Sequence, residues 1–257
     1  MRMPRFFTAS LLAGALGFLP SPSPAADSKP VLVFAAKATA GIAEEMGKAF
    51  SESSGVPVRV SSGGTPDLAR RILEGEPADI FIAAGISNLA RLQLAGMVDE
   101  QTTYLWIRSR LVVIAPSQTA GALSSSQEIA DPRFRRLALA DAEVPLGISS
   151  RQSLTHDRLW EVLLPRIVRL TDGPSVLTSV ESGAADLGIV YASDARTSSR
   201  VKIVLELPEE GHKPIQFFVA LVAHTGASPA TRSFLDFLKS ETARRRLIEA
   251  GFIPAFP

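Results

Sequence analysis

Two segments in different halves of the chain repeat one pattern, and this repeat constrains the fold more than any other feature. The segment from Gly75 to Ala84 reads Gly-Glu-Pro-Ala-Asp-Ile-Phe-Ile-Ala-Ala, and the segment from Gly183 to Tyr191 reads Gly-Ala-Ala-Asp-Leu-Gly-Ile-Val-Tyr. Each opens with a glycine suited to ending a helix, passes through Ala-Asp and enters an apolar strand. The repeat predicts two similar α/β lobes, and a cleft between lobes is a common place for a small ligand.

Strand and helix patterns alternate through both halves, which predicts parallel sheets with helices on both faces. The predicted strands cover residues 31–36, 56–60, 79–84, 111–115, 137–140, 167–170, 187–191, 201–205 and 217–222. The predicted helices cover residues 42–50, 68–73, 89–94, 152–164, 173–181 and 229–249. The expected fold class is α/β, with two doubly wound lobes joined by a strand hinge. Residues 26–110 and 218–257 are expected to form the first lobe and 111–217 the second, with crossings near Leu111 and Phe217.

The first 25 residues have the pattern of a secretory signal peptide. Arg2 and Arg5 precede an apolar run over residues 8–19, and small residues follow up to Ala25. A membrane anchor is the alternative, but the run is shorter than the roughly 20 residues that cross a bilayer. The sequence has no cysteine, so neither a disulfide nor a lipid-anchored cysteine is available. We therefore expect a periplasmic protein that is free of the membrane.

The charge balance argues against a nucleic-acid-binding surface. The chain has 27 Lys and Arg against 26 Asp and Glu, and removal of Arg2 and Arg5 leaves 25 against 26, a net charge of −1. His156, His212 and His224 do not have metal-ligand spacing, so no metal site is expected. The sequence also lacks a nucleophile elbow, a phosphate loop and paired catalytic carboxylates, which favours binding over catalysis.

Four strand-to-helix junctions are the candidate binding elements. They cover residues 37–41, 61–67, 141–147 and 171–175, and Tyr191 ends a further strand. Ligands of parallel α/β sheets bind at the carboxyl ends of strands, where free N–H groups at helix starts favour anions. Any one of these glycine- and serine-rich junctions is more simply explained as a turn and a helix cap. Four of them together with Tyr191 favour an anion site.

These segments resemble the periplasmic molybdate-binding proteins of bacterial ABC importers, a branch of the two-lobed solute-binding proteins. The resemblance is carried by residues 31–36, 68–72, 75–84, 96–98, 187–191, 193–195 and 251–252. It implies the type II periplasmic binding protein fold, a tetrahedral oxyanion such as molybdate or tungstate as ligand, and an inner-membrane ABC permease as partner. It implies no cofactor and no enzymatic activity, and we expect a monomer.

In that family the oxyanion is held by hydroxyl and backbone N–H groups without positively charged side chains. The resemblance places the first hydroxyl position at Ala38, which has only its N–H to offer, and the second at Thr65. A shift in the alignment would give the second role to Ser62 or Gly64.

For the second lobe, the resemblance implies backbone donors at Leu146 and Gly173 and a hydroxyl donor at Tyr191.

The residues around Ala38 raise the question of which anion is bound. Thr39 could supply the missing hydroxyl, and Lys37 could compensate with its charge. The alternative for Lys37 is that it points to solvent and pairs with an acid such as Glu44. Sulfate, phosphate, a phosphonate or a small carboxylate are the other candidate ligands, and a receptor that reports to a sensor is the other candidate function.

Overall fold

The computed structural model describes residues 29–223 and 228–256. The predicted signal peptide and His224 lie outside these residues. The strands in the described part of the chain are, in chain order, β1 Val31–Ala36, β2 Val58–Gly63, β3 Ile80–Ala84, β4 Tyr104–Ser109, β5 Leu111–Pro116, β6 Leu137–Ala140, β7 Ile167–Leu170, β8 Leu187–Tyr191, β9 Val201–Glu206, β10 Ile215–Leu221 and β11 Ile253–Pro254.

The α-helices of the described residues follow the strands in the alternating order that the sequence predicts. They are α1 Ala40–Ser54, α2 Thr65–Leu73, α3 Ser87–Leu94, α4 Pro145–His156, α5 Trp160–Leu163, α6 Gly173–Glu181, α7 Ala192–Ala195, α8 Pro229–Phe237 and α9 Glu241–Glu249. None of the helices within residues 29–223 and 228–256 has the length and apolar character needed to cross a membrane.

The strands form two sheets, one for each lobe. One has six strands in the order β11-β4-β10-β3-β1-β2 and the other has five in the order β7-β6-β8-β5-β9. The fold class is as predicted, α/β with two lobes, but each sheet is mixed rather than purely parallel. The parallel strands β2-β1-β3 and β7-β6-β8 each have an antiparallel neighbour, β10 beside β3 and β5 beside β8.

The chain passes between the two sheets twice in its described part. It leaves the first sheet after Ser109 and enters the second at Leu111, and it returns between Glu206 and Ile215. Since β10 starts at Ile215, the first sheet includes residues 215–217. The lobe boundaries given above for the whole chain stay a prediction.

The repeated Ala-Asp pattern occupies equivalent positions in the two sheets. The N–H of Asp79 donates to the carbonyl of Leu32 at 2.8 Å, and a carboxylate oxygen of Asp79 accepts from the N–H of Leu32 at 2.8 Å. The N–H of Asp186 donates to the carbonyl of Arg136 at 3.0 Å, and a carboxylate oxygen of Asp186 accepts from the N–H groups of Arg135 and Arg136. Each aspartate therefore ties the start of its strand to the start of the neighbouring parallel strand.

Three predicted element boundaries are wrong. The helix predicted for residues 152–164 begins earlier, at Pro145, and is divided by Arg158, whose φ is 61°. The helix predicted for residues 229–249 is two helices, because Ser240 caps a new one by accepting a hydrogen bond from the N–H of Ala243. The strand predicted at 56–60 runs over Val58–Gly63. The sequence analysis also missed β4.

The apolar side chains divide into cores that match the two sheets. One buried cluster fills the second lobe, and two others pack against opposite faces of the first sheet. Phe34 packs on one face of the first sheet and its neighbour Ala35 on the other, as expected when helices cover both sides. These cores hold the carboxyl ends of the strands at fixed positions, where the predicted site residues lie.

Candidate functional site

The first lobe brings two predicted junctions to one edge of its sheet. Ala36 at the end of β1 is paired with Gly63 at the end of β2, and β3 runs parallel to β1 on its other side. Lys37 and Thr65 therefore start their helical segments at the same sheet edge. No side chain caps the start of either segment, which leaves the first backbone N–H groups of each without a side-chain acceptor.

Thr65 is held so that its hydroxyl can donate. It is the first residue of α2 and is 6% exposed. Its Oγ1 accepts a hydrogen bond from the N–H of Ala84 at 3.1 Å. Because a hydroxyl has one proton and two lone pairs, accepting this bond leaves the proton of Thr65 for another acceptor.

Thr39 does not offer the hydroxyl that Ala38 lacks. Thr39 is fully buried, and its Oγ1 donates to the carbonyl of Ala36 at 2.8 Å, which uses its only proton. Ala38 itself is exposed on the 3₁₀ helix Lys37–Thr39 and contributes backbone there. In this structure the hydroxyl of Thr39 stabilises the helix start instead of facing the cleft.

The two predicted backbone donors of the second lobe are neighbours in space. Leu146 is the second residue of α4 and Gly173 the first of α6, and both are buried. A Cβ atom on Gly173 would lie 3.3 Å from the Leu146 side chain and 2.6 Å from a carboxylate oxygen of Asp194. Gly173 is therefore required by close approach, since any side chain would displace these neighbours.

Tyr191 and Asp194 lie on the same side of this lobe. Tyr191 ends β8 and is 7% exposed, and its N–H donates to the Asp194 carboxylate three residues later. Burial, with a contribution from the Asp194 charge, raises the pKa of Tyr191, so its hydroxyl keeps its proton and can donate. Burial, with a contribution from the charge of Asp172, raises the pKa of Asp194 to about 6.

An ion pair joins the two lobes beside these residues. The ammonium of Lys37 lies 3.3 Å from Oδ2 of Asp172, the residue that caps α6. Oδ1 of Asp172 accepts hydrogen bonds from the N–H of Ser175 at 3.0 Å and from its hydroxyl at 2.8 Å. These bonds, followed by the contact with Lys37, lower the pKa of Asp172. The expected alternative, pairing of Lys37 with Glu44, is wrong because its partner is in the opposite lobe.

The helix starts at these junctions present partial positive charge, which favours an anion. The first turns of α1, α4 and α6 contain no acidic residue, whereas that of α2 contains Asp67, and Asp172 caps α6. No group of three or more His, Cys, Asp or Glu that could hold a metal ion is present in residues 29–223 and 228–256. A groove of about 640 Å³ along α4 contains none of the predicted site residues.

The sequence analysis missed the two carboxylates beside Gly173 as members of the site. It includes Asp172 only within the junction 171–175, and Asp194 only within the segment 193–195 that carries the family resemblance. The spacing between Tyr191 and Asp194 was the signal in the sequence that could have identified Asp194. An acidic side chain at the third position of a helix often accepts a hydrogen bond from the N–H of the residue that precedes the helix. The neighbourhood of Asp194 and Gly173 depends on how α6 and α7 pack, which local sequence does not encode.

Comparison with known proteins places this architecture among characterised sequences and structures. The family described as "Bacterial extracellular solute-binding protein" matches residues 31–253. The molybdate-binding protein ModA of Haemophilus influenzae is 33% identical over 260 residues, covering 98% of each chain. A solved structure, the substrate binding domain of a putative molybdenum ABC transporter from Clostridium difficile, aligns with a TM-score of 0.80 and 26% identity over 87% of this chain and 98% of that one. The aconitate isomerase of a Pseudomonas species is more distant, at 24% identity over 273 residues and 99% of each chain.

Proposed function

The chain belongs to the family of bacterial extracellular solute-binding proteins, and we propose that it captures a tetrahedral oxyanion between its two lobes, with molybdate or tungstate as the first candidates. Catalysis is not part of this proposal. The observation that carries it is the 3.3 Å contact between Lys37, which follows β1 of the first lobe, and Asp172, which follows β7 of the second, because it places strand ends of the two lobes opposite each other. An anion between them would meet helix starts from both sides.

Five residues are the proposed donors to the anion. Ala38, Leu146 and Gly173 would donate through backbone N–H groups, and Thr65 and Tyr191 through hydroxyl groups. Neutral donors suit an oxyanion because each fixed N–H or O–H points a partial positive charge at it without adding a mobile counter-ion.

The biological setting follows from the family. We propose that the protein works in the periplasm after cleavage of its leader, as a monomer, and delivers its ligand to an ABC permease in the inner membrane. ModA of Haemophilus influenzae is named a molybdate-binding protein and the Clostridium difficile neighbour is a domain of a putative molybdenum ABC transporter, which supports this role.

A second candidate is the same binding role for another anion, such as sulfate or phosphate. The observation that favours it is the absence of a free hydroxyl on the segment Lys37–Thr39, where Ala38 has none and Thr39 donates to Ala36. Loss of one hydrogen bond to a charged ligand costs about 1.5–3 kcal/mol, enough to change the order of preference among similar oxyanions.

Thermal unfolding with molybdate, tungstate, sulfate and phosphate at equal ionic strength tests the proposal. A ligand at about 100 times its Kd stabilises the protein by about 2.7 kcal/mol, which gives a clear upward shift. We expect molybdate and tungstate to give it, whereas a shift with sulfate or phosphate alone supports the second candidate.

The matched control for that experiment is Tyr191→Phe, which removes one proposed donor and keeps the ring. We expect its ligand-free melting temperature to be close to that of the wild type and its ligand-induced shift to be smaller. A protein that none of the four anions stabilises, or that converts a candidate ligand chemically, would contradict the proposed function.

A further inference from the structure

Lys37 occupies a position where a positive charge is locally unfavourable. It is the first residue of the helical segment that follows β1, and helix starts already carry partial positive charge. Its partner Asp172 is 135 residues away in sequence and belongs to the other lobe. The reason for a lysine here is therefore to be found across the cleft.

Asp172 places a negative charge beside a proposed anion donor. One of its carboxylate oxygens is held by the N–H and hydroxyl of Ser175, and the other is left for Lys37. Asp172 directly precedes Gly173, whose N–H is proposed to bind the anion. Asp194 contributes a second carboxylate close to Gly173. An oxyanion at the start of α6 is thus repelled by acidic groups unless a cation compensates for them.

A mechanical role for the ion pair is less consistent with its exposure. The side chain of Lys37 is 73% exposed and that of Asp172 is 34% exposed. Pairs this exposed shift an equilibrium by about fivefold or less, so this one is too weak to hold two lobes together. Its location next to Gly173 instead favours an electrostatic role toward the ligand.

We infer, on the basis of the proposed function, that Lys37 is a positioning residue that neutralises Asp172 from across the cleft and so allows the start of α6 to accept a doubly negative oxyanion. The lysine thereby acts on the anion through Asp172 and needs no direct contact with it.

The test uses the single variants Lys37→Ala and Asp172→Asn and the double variant that combines them. Asparagine is as good a helix cap as aspartate, so Asp172→Asn should keep the bonds to Ser175 while removing the charge. The exposed Lys48→Ala on α1 is the control for loss of one positive charge away from the cleft. Dissociation constants for molybdate, and in a parallel series for sulfate, are measured by calorimetry at low and high salt.

We expect Lys37→Ala to weaken binding about tenfold at low salt and less at high salt, because screening reduces the repulsion from Asp172. Asp172→Asn alone should bind at least as tightly as the wild type. The double variant should return to within about threefold of the wild type, since the charge that needed compensation is gone. Lys48→Ala should leave the dissociation constant unchanged.

Two results with a binding-competent wild type would overturn the inference. Unchanged affinity in Lys37→Ala would show that the charge of Asp172 does not affect the ligand. Equal losses in both single variants without recovery in the double variant would identify the pair as a mechanical latch. If the wild type binds neither molybdate nor sulfate, the proposed function fails first and the inference falls with it.

Discussion

At the scale of single residues, the proposed site has two acidic groups close to Gly173. Asp172 stays ionised because Ser175 donates two hydrogen bonds to it and Lys37 lies nearby. Asp194 is partly buried next to Gly173, and its pKa is raised to about 6, which brings it into the range where modest acidification protonates it. One neighbouring acid is thus compensated by a lysine, and the other can be neutralised by a proton.

Oxyanion binding should therefore depend on pH through Asp194. The pKa of Asp194 in the folded protein, about 6, lies above its ordinary value of 3.8, so the carboxylate charge is present at pH 8 and largely lost at pH 5. Loss of that charge beside the anion should tighten binding by about 1 kcal/mol, or about fivefold. The other titratable groups near it, Asp172 and Tyr191, have pKa values shifted away from this range and keep their charge state.

The measurement is the dissociation constant at pH 5 and pH 8 for the wild type and for Asp194→Asn. Asparagine keeps an oxygen that can accept the N–H of Tyr191, so the fold around α7 should be retained. Protonation of the ligand itself affects both proteins equally and cancels in their ratio. A ratio that does not change with pH would show that Asp194 does not act on the anion.

At the scale of secondary-structure elements, the sequence predicts the positions of most strands and helices. It does not predict helix boundaries at which two local signals disagree. Strands β1, β6, β7 and β8 lie where the apolar runs predicted them. The start of α4 was misplaced because a proline and a glycine suggested a loop. Proline is well tolerated in the first turn, and Gly147 is needed there because a Cβ atom would lie 1.9 Å from the carbonyl of Asp141.

The division between α8 and α9 was missed for a different reason. The apolar residues Phe234 and Leu247 continue one stripe across the break, so periodicity alone indicated a single helix. Ser240 ends that continuity by capping α9. The hydrophobic period does not reveal this cap, because the apolar stripe continues on both sides of it.

The two aspartates of the repeated pattern should have matching effects on stability. Asp79→Ala and Asp186→Ala each remove an acceptor that ties two parallel strands together at their starts. We expect each to lower the free energy of unfolding by about 1–3 kcal/mol, because backbone N–H groups lose a charged partner. Urea denaturation measures this, with Asp79→Asn and Asp186→Asn as controls that keep an acceptor oxygen and should lose less. Alanine variants as stable as the asparagine variants would mean that water replaces the carboxylate.

At the scale of the whole molecule, the two lobes contact each other at a second place besides the ion pair of Lys37 and Asp172. Besides the two chain crossings, Gly251 at the end of α9 packs against α7 of the other lobe, where a Cβ atom would lie 2.9 Å from the carbonyl of Ala192. The sequence predicted the two α/β lobes. It could not predict that Lys37 pairs with Asp172, because no local sequence pattern indicates how the two lobes are placed relative to each other.

Closure of the lobes should be driven by the ligand rather than by the ion pair at the cleft. An exposed pair such as Lys37 and Asp172 contributes about 0–1 kcal/mol, whereas an anion that contacts both lobes shifts the equilibrium by the whole difference between its affinities for the closed and open forms. We therefore expect saturating oxyanion to lower the radius of gyration measured by small-angle X-ray scattering. The Lys37→Ala variant should reach the same radius of gyration as the wild type, but only at a higher concentration of the oxyanion. A radius that stays constant while calorimetry reports binding would mean that the lobes do not move, since a hinge that closes on its ligand must change the overall dimensions of the molecule.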